Sequence, residues 1–292
     1  MSHGFAAIGF VRSAGLRKFL AALLLLMFLS PAAAGDWEKE ADRILGAMES
    51  GRPLPLLEDV PPEERTLENA YKVQKILFEK LIRKGEVIAG FKGAMTARAQ
   101  MQRFGTDRPA SAPLFKSGFI EADPSKTTEF RPFQGMMLET ELAFRTALPI
   151  TGLVEDTEAL KKMIAGVHPS IEVPQVYFTD MSKVGFFDIV AAGIGSRLFL
   201  VGPPFPDGLD VGSIWVKLDL DGTSVNEGIS NDALGDQWQA LLWLVNNTLE
   251  QGYTIEAGQY LLTGALGKMI PAQAGTYKAD YALTDLKFKI LQ

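Results

Sequence analysis

Apolar residues recur at helical spacing in two segments after the first 35 residues. In 36–51 and again in 66–84 they stand three or four positions apart, and a glycine ends each run. Each segment is therefore predicted to form an amphipathic helix. The proline-rich, acidic stretch between them, 52–64, is predicted to be a connector.

The pattern changes after residue 86. Short runs rich in β-branched and aromatic residues alternate there with turns of Gly, Pro and Asp. Only 157–164 and 237–251 keep a helical pattern. Helices followed by many strands predict an α+β fold with an antiparallel or mixed sheet. The predicted strands are 87–90, 118–121, 136–144, 170–176, 198–201, 213–220 and 287–291.

The first 34 residues have the pattern of a secretory signal peptide. Three basic residues, the last of them Lys18, precede an apolar run over 19–29, and small residues follow up to Ala34. The run is shorter than the roughly 20 residues that a spanning helix needs. We predict cleavage after Ala34 and export to the periplasm or beyond, without membrane association afterwards. An uncleaved anchor is the alternative.

The rest divides into a helical segment, 35–85, and a β-rich segment of the catalytic type, 86–292, predicted to form one structural unit.

The composition of the chain argues against several kinds of partner and site. The net charge of −6 without a basic patch argues against a nucleic-acid partner. The absence of cysteine excludes disulfides, thiol nucleophiles and thiolate metal sites. Because His3 lies in the predicted signal peptide, His168 alone remains, and a multi-histidine zinc site is not expected.

Two glutamates share one face of the strand predicted over 136–144. Side chains alternate along a strand, so Glu139 and Glu141 point to one side and their apolar neighbours to the other. Two carboxylates about 7 Å apart repel each other unless a hard cation such as Mg²⁺ or Mn²⁺ lies between them. A strand with one solvated face is the alternative.

A third carboxylate is predicted on another strand. Glu172 and His168 lie on one face of the run 168–174 at a spacing of two. Glu172 would complete a site of three oxygen ligands. The alternatives are an exposed strand glutamate and a hydrogen-bonded structural histidine.

Two glycine-containing turns are candidate ligand contacts. Lys92 lies in the turn 90–96, where it could hold a carboxylate or move protons, or be an ordinary solvated lysine. Thr263 and Gly264 end a predicted strand and offer a hydroxyl and backbone N–H groups to an anion. A plain tight turn is the alternative.

Taken together, six segments resemble the 2-keto-4-pentenoate hydratases, a branch of the fumarylacetoacetate hydrolase superfamily. The resemblance extends from residue 36 to the end. It rests on AYKVQ at 70–74, GFKG at 90–93, ETE at 139–141, IE at 171–172, WLVN at 243–246 and LTGAL at 262–266, in that order.

The resemblance implies a fold and a chemistry. The fold is a β-rich mixed-sheet roll with a funnel-shaped pocket. The site holds Mg²⁺ or Mn²⁺ through Glu139, Glu141 and Glu172, and the metal chelates a small 2-keto acid and stabilises its enolate. The implied activity is that of a lyase, a hydratase or a decarboxylase of 2-keto or 2-hydroxydienoic acids, and homo-oligomers are expected.

The resemblance also assigns roles around the metal. Lys92 matches a lysine that helps to move protons near the substrate. The turn at Thr263 and Gly264 matches the one beside the substrate carboxylate.

The chain departs from the family at two places. Ala110 stands where hydratases carry an acidic residue, and the loop 192–196 differs from the family's Asp-Asn-Ala-Ser-Ser. We therefore consider His168 as a substitute in proton transfer and Arg197 as a binder of a second substrate carboxylate. Two other functions stay open: an exported, non-catalytic 2-keto-acid binding protein, favoured by Ala110, and an acylpyruvate C–C hydrolase.

Overall fold

The computed structural model describes residues 36–123 and 125–292. The predicted signal peptide, 1–34, lies outside these residues. No helix within them is long and apolar enough to cross a membrane.

Six α-helices are found in the described residues, and local side chains explain where the first two begin. The Asp36 carboxylate accepts a hydrogen bond from the Lys39 N–H, and the Thr66 hydroxyl accepts one from the Asn69 N–H, so each caps a helix N-terminus. The helices are α1 (Trp37–Glu49), α2 (Leu67–Arg83), α3 (Arg98–Phe104), α4 (Thr157–Lys161), α5 (Phe186–Ala191) and α6 (Gln237–Glu250).

The strands of the described chain form two sheets and include parallel pairs. They are β1 (Ile88–Ala94), β2 (Ala110–Phe115), β3 (Phe119–Glu121), β4 (Thr128–Phe130), β5 (Met137–Thr146), β6 (Ile164–Val173), β7 (Leu198–Val201), β8 (Trp215–Leu220), β9 (Thr223–Ile229), β10 (Tyr260–Leu262), β11 (Ile270–Pro271), β12 (Gly275–Asp280) and β13 (Asp285–Ile290).

The larger sheet has the order β2-β1-β10-β5-β6-β7-β3, with β11 added to β5, and the smaller one the order β4-β13-β12-β8-β9. Strands β1 and β10 run parallel, as do β3 and β7, whereas β5 and β6 form a long antiparallel pair. The predicted α+β class with a mixed sheet is therefore confirmed.

The two faces of the β5–β6 pair have different neighbours. One face carries Leu138, Leu142 and Ile171 into the main core, which also contains residues of the smaller sheet and of α6. A second apolar cluster joins α1, α2 and α5 to β2 through Ala110 and Ala112. Because these two alanines point the same way as Lys92 of β1, the helices cover part of the opposite face of the larger sheet.

Several predicted boundaries differ from the structure. Strand β1 continues through Lys92 to Ala94, so this lysine lies inside a strand and not in a turn. Strand β6 begins at Ile164, well before the predicted 170. The patterns did not indicate α3, α5 or the strands β2, β4, β9, β11 and β12.

Candidate metal centre

The β5–β6 register brings three glutamates together. Glu139 is paired with Glu172, and Glu141 with Ser170, and paired residues of antiparallel strands project from the same face. One carboxylate oxygen from each of Glu139, Glu141 and Glu172 lies within 4.8 Å of the others. The pairing of β5 with β6 thus brings Glu139 and Glu141 together with Glu172, which comes about thirty residues later in the chain, in one acidic cluster.

Most of this cluster is buried, and two of its carboxylate oxygens have no hydrogen-bond partner. Glu141 and Glu172 are fully buried, and the Oε1 of Glu141 and the Oε2 of Glu172 have no hydrogen-bond partner. Burial raises the pKa of the Glu139 carboxyl to about 8, and the Glu172 carboxylate adds to the increase. The same two causes, with Glu139, hold the pKa of Glu141 well above its usual range.

Such an arrangement is costly unless a cation is bound. Buried carboxylates without hydrogen-bond donors are unfavourable, and three hard oxygen ligands on one face suit Mg²⁺ or Mn²⁺. The residues present therefore fit a divalent cation of this kind.

Lys92 supplies the one ammonium group that contacts the cluster within the described chain. Its Nζ donates to the Oε1 of Glu172 and, at 3.0 Å, to the carbonyl oxygen of Ile194. Burial by itself would lower the pKa of Lys92, but the carboxylates of Glu172 and Glu139 outweigh it and raise the pKa above its ordinary value. Lys92 is thus held as a buried cation beside the carboxylates.

The turn after β10 also contacts the cluster. The Gly264 N–H donates to the Oε2 of Glu141 at 2.9 Å. Gly264 has a φ of +109°, and a Cβ there would lie 2.1 Å from the Thr96 hydroxyl, so the position requires glycine. The hydroxyl of buried Thr263 donates to the Gln237 Oε1 at 2.6 Å.

Gln237 is a site residue that the sequence patterns missed. It is fully buried, and its Nε2 donates to the Ser230 carbonyl while its Oε1 accepts from Thr263. Its position next to the helix cap Asp236 was the only signal available, and a polar residue at a helix start is ordinarily exposed.

The structure does not bring His168 to the glutamates. It projects from the same face as Glu172, but four strand residues correspond to about 13 Å. Ser170 lies between them. The His168 Nδ1 is 2.8 Å from the Gly202 carbonyl oxygen, and burial lowers the pKa of the ring. This contact matches the structural alternative for His168.

Arg197 is exposed and already engaged. Its guanidinium lies 4.0 Å from the centre of the Phe133 ring and donates to the Gln175 side chain. An arginine held in this way is less available for a substrate carboxylate than a free one.

Position 110 provides no acid or base. Ala110 is fully buried in β2 opposite Ala94, and it shares its face with Ala112, the partner of Lys92. The neighbouring Ser111 is fixed by hydrogen bonds, its N–H to the Tyr71 hydroxyl and its carbonyl to Gln74. The departure from the hydratase pattern therefore lies in a buried and hydrogen-bonded strand.

Comparison with known structures identifies the class of this fold. The chain resembles the structure of 4-oxalocrotonate decarboxylase from Pseudomonas putida G7, complexed with magnesium and adipate, with a TM-score of 0.79, 21% identity and coverage of 87% of this chain and 97% of the other. It also resembles fumarylpyruvate hydrolase from Pseudomonas aeruginosa, in complex with Mn²⁺ and pyruvate, with a TM-score of 0.52, 13% identity and coverage of 69% and 88%. The fold is that of the fumarylacetoacetate hydrolase superfamily.

The sequence comparison identifies the family within this class. The chain is 30% identical over 247 residues to a 2-keto-4-pentenoate hydratase from Burkholderia vietnamiensis, covering 82% of this chain and 91% of the relative. It belongs to the 2-keto-4-pentenoate hydratase family. No family model matches it.

Proposed function

We propose that the protein is a lyase that depends on Mg²⁺ or Mn²⁺ and acts on a small 2-keto or 2-hydroxydienoic acid, as a hydratase or a decarboxylase. The observation that carries the proposal is the cluster of Glu139, Glu141 and Glu172, with ligand atoms within 4.8 Å and two buried oxygens unpaired. The related hydratase and the decarboxylase of the same fold support the reaction class.

The residues of this chain have separate roles in the proposal. Glu139, Glu141 and Glu172 hold the cation, which when bound acts as a Lewis acid toward a 2-keto acid. The Gly264 N–H fixes one oxygen of Glu141 and leaves the other free to bind. Lys92 fixes one oxygen of Glu172 in the same way.

Lys92 also holds a proton at the edge of the site. Its Nζ is buried, charged and hydrogen-bonded to Glu172 and Ile194. With a cation held by Glu172, the Lys92 ammonium would keep less of the attraction that raises its pKa, and Lys92 would then be a better proton donor to a bound acid. We assign proton transfer to Lys92 and leave His168 as a structural residue.

A non-catalytic 2-keto-acid binding protein is the second candidate. The buried methyl group of Ala110 favours it, because no titratable group occupies the place of the family's acidic residue. This candidate shares the metal centre and differs only in turnover. We further propose that residues 1–34 direct export and that the protein assembles as a homo-oligomer.

The deciding experiment is calorimetric titration of the protein with oxalate, with and without Mg²⁺. Oxalate resembles a planar enolate of a 2-keto acid and requires no turnover. We expect binding only with Mg²⁺, and a loss of more than about 100-fold in Glu139→Ala, because even residues behind a metal ligand contribute 10–100-fold. Glu129→Ala, an exposed glutamate of β4, is the matched control.

Two outcomes would contradict the proposal. Folded protein that binds no oxalate with Mg²⁺ would remove the metal centre. Magnesium-dependent binding without turnover of any 2-hydroxydienoic or 2-keto acid would select the binding protein over the lyase.

A further inference from the structure

A second polar cluster lies on the same face of the larger sheet as the glutamates, at the opposite end of the β5–β6 pair. Arg145 is paired with Tyr260 of β10 on one side and with Gly166 of β6 on the other. His168 is the diagonal neighbour of Arg145, and its ring meets that of Tyr260 edge to face, with 5.5 Å between the ring centres. Four strand residues, about 13 Å, separate His168 from Glu172, so this cluster is distinct from the metal centre.

His168 keeps one ring nitrogen free although the residue is only 7% exposed. Its Nδ1 carries a proton, because the Gly202 carbonyl oxygen 2.8 Å away can only accept a hydrogen bond. Burial lowers the pKa of the ring, so the neutral form prevails near pH 7 and Nε2 presents a lone pair. No donor from residues 36–123 or 125–292 reaches that lone pair, whereas buried polar atoms ordinarily have a partner.

Gly166 leaves room beside this nitrogen. A Cβ at Gly166 would lie 3.6 Å from the His168 Nε2 and 3.5 Å from the Pro204 Cβ, and both are ordinary contact distances. Gly166 lies inside β6 without a positive φ, so an alanine could occupy the position without backbone strain. The missing side chain therefore leaves a small space next to Nε2, on the face from which Arg145 projects.

Arg145 and Glu121 bring one charge of each sign to the cluster. Burial shifts the pKa of the His168 and Tyr260 rings most, and in addition the Arg145 charge lowers, and the Glu121 charge raises, the pKa of each ring. Both charged side chains are exposed, and neither forms an ion pair or hydrogen bond within the part of the chain that the structure describes. A free cation, a free anion and a lone pair thus lie in one small cluster.

This combination selects among small ligands by charge and hydrogen bonding. A carboxylate can accept two parallel hydrogen bonds from the Arg145 guanidinium. An ammonium group on the next carbon suits both the lone pair of His168 and the Glu121 carboxylate, since it donates several hydrogen bonds and carries a positive charge. A phosphate or sulfate would instead bring additional negative charge beside Glu121. A plain carboxylic acid would leave the lone pair without a donor.

We propose that this cluster is a second ligand site, which binds a small α-amino acid with its carboxylate at Arg145 and its ammonium group between the His168 Nε2 and Glu121. The ligand is small because the space beside Nε2 is that of one missing side chain, at Gly166. The site requires no metal ion and is independent of the proposed function.

The test uses three ligands with the same carbon skeleton. L-Alanine, L-lactate and propanoate carry an ammonium group, a hydroxyl group and no polar group on the second carbon. Their affinities for the full chain are measured near pH 7 by NMR titration of the ligand methyl signals, with EDTA to keep the metal centre empty. We expect alanine to bind more tightly than lactate, and lactate more tightly than propanoate, by about 5-fold at each step, which corresponds to one hydrogen bond.

Substitutions then test each contact. His168→Asn keeps a donor for the Gly202 carbonyl but removes Nε2, so alanine should bind about 5-fold more weakly and propanoate as before. Glu121→Gln should likewise weaken alanine alone. Arg145→Gln should weaken all three ligands, by about 10- to 100-fold. Gly166→Ala fills the space beside Nε2 and should weaken alanine and lactate, whose polar group occupies that space.

Matched controls lie elsewhere on the surface. Gly152→Ala, at an exposed glycine with open surroundings, and Arg131→Gln, at an exposed arginine, should change none of the three affinities. Magnesium-dependent oxalate binding should stay unchanged in all of these variants, because the two sites are separate.

Three results would overturn the assignment. Propanoate that binds as tightly as alanine would reduce the cluster to an ordinary exposed arginine. Lactate that binds more tightly than alanine would show that Glu121 takes no part and that the ligand is not an amino acid. Folded wild-type protein that binds none of the three would end the assignment, and oxalate binding by the same sample would show that the metal centre is unaffected by this failure.

Discussion

The two faces of the β5–β6 pair are both largely buried but chemically opposite. Leu138, Leu142 and Ile171 on one face are fully buried among apolar neighbours. Glu141 and Glu172 on the other are also fully buried, yet each keeps an oxygen without a partner. The same two strands therefore build a stabilising surface and a costly one.

The apolar face stabilises the fold, whereas the acidic face carries the proposed function. Burying apolar side chains stabilises the fold by about 25 cal/mol for each Å² removed from water. Burying carboxylates opposes folding unless partners compensate, and Lys92 compensates one of them. The acidic face is thus expected to depend on its ligand, and the apolar face on nothing outside the chain.

The largest expected effect tests the apolar face. Leu142→Ala should lower the free energy of unfolding by about 2–5 kcal/mol, because it leaves a cavity in the main core. Magnesium-dependent oxalate binding should stay unchanged at a temperature where the variant is folded. Urea unfolding and calorimetry measure the two quantities. The exposed Leu148→Ala is the control, and a selective loss of oxalate binding would show that the faces are not independent.

A smaller effect is expected for the acidic face, where the free energy of unfolding should depend on pH. The folded-state pKa of Glu139, about 8, exceeds the ordinary value of 4.5, so the folded protein binds more protons than the unfolded one between these values. Without metal, the free energy of unfolding should therefore fall as pH rises from about 5 to 8. An isolated dry group would lose roughly 4 kcal/mol over this range, and because Glu139 is only partly buried we expect on the order of 2 kcal/mol. Unfolding at several pH values, with EDTA or with Mg²⁺, measures this.

Two further measurements serve as controls for the pH experiment. Mg²⁺ should reduce the loss, since it binds the ionised carboxylates. Glu139→Gln should also reduce it without metal. An unchanged free energy of unfolding across this range in the metal-free wild type would contradict the cost that we assign to the acidic face.

The smallest effect is expected for the hydrogen bond of Thr263, whose neighbour Gly264 contacts the acidic face. Thr263→Val keeps the shape of the side chain but removes the hydroxyl that donates to Gln237, and it should lower the free energy of unfolding by about 1 kcal/mol. Thr223→Val, at an exposed position of β9, should have almost no effect. Equal losses in both variants would mean that the Thr263 hydrogen bond adds nothing to stability.

Periodicity predicted the parts of the fold that have one buried face. The bounds of helices α1 and α2 were predicted to within a few residues. Alternation placed Glu139 and Glu141 on one face of β5 and Leu138 and Leu142 on the other, as in the structure. Helix α3 was missed because none of its seven residues is buried, so it has no apolar stripe.

Alternation indicates which face a residue occupies but not what lies beside it. His168 shares a face with Glu172, yet strand geometry puts them about 13 Å apart. Arg197 has partners, Phe133 and Gln175, that no local pattern indicates. The same limit hid Gln237 and the contact between Thr96 and Gly264, since both depend on segments distant in sequence.

The parallel pairing of β1 with β10 has a consequence for how the chain acquires its structure. Lys92 is aligned with Leu262, 170 residues later, and the antiparallel pairing of β10 with β5 sets Gly264 beside Glu141. Loops of this length close slowly, and during synthesis the N-terminal part waits for the C-terminal part. A nascent or refolding chain can therefore bring the three glutamates together in the β5–β6 pair before Lys92 and Gly264 reach them, so the complete site is expected to be a late product of folding.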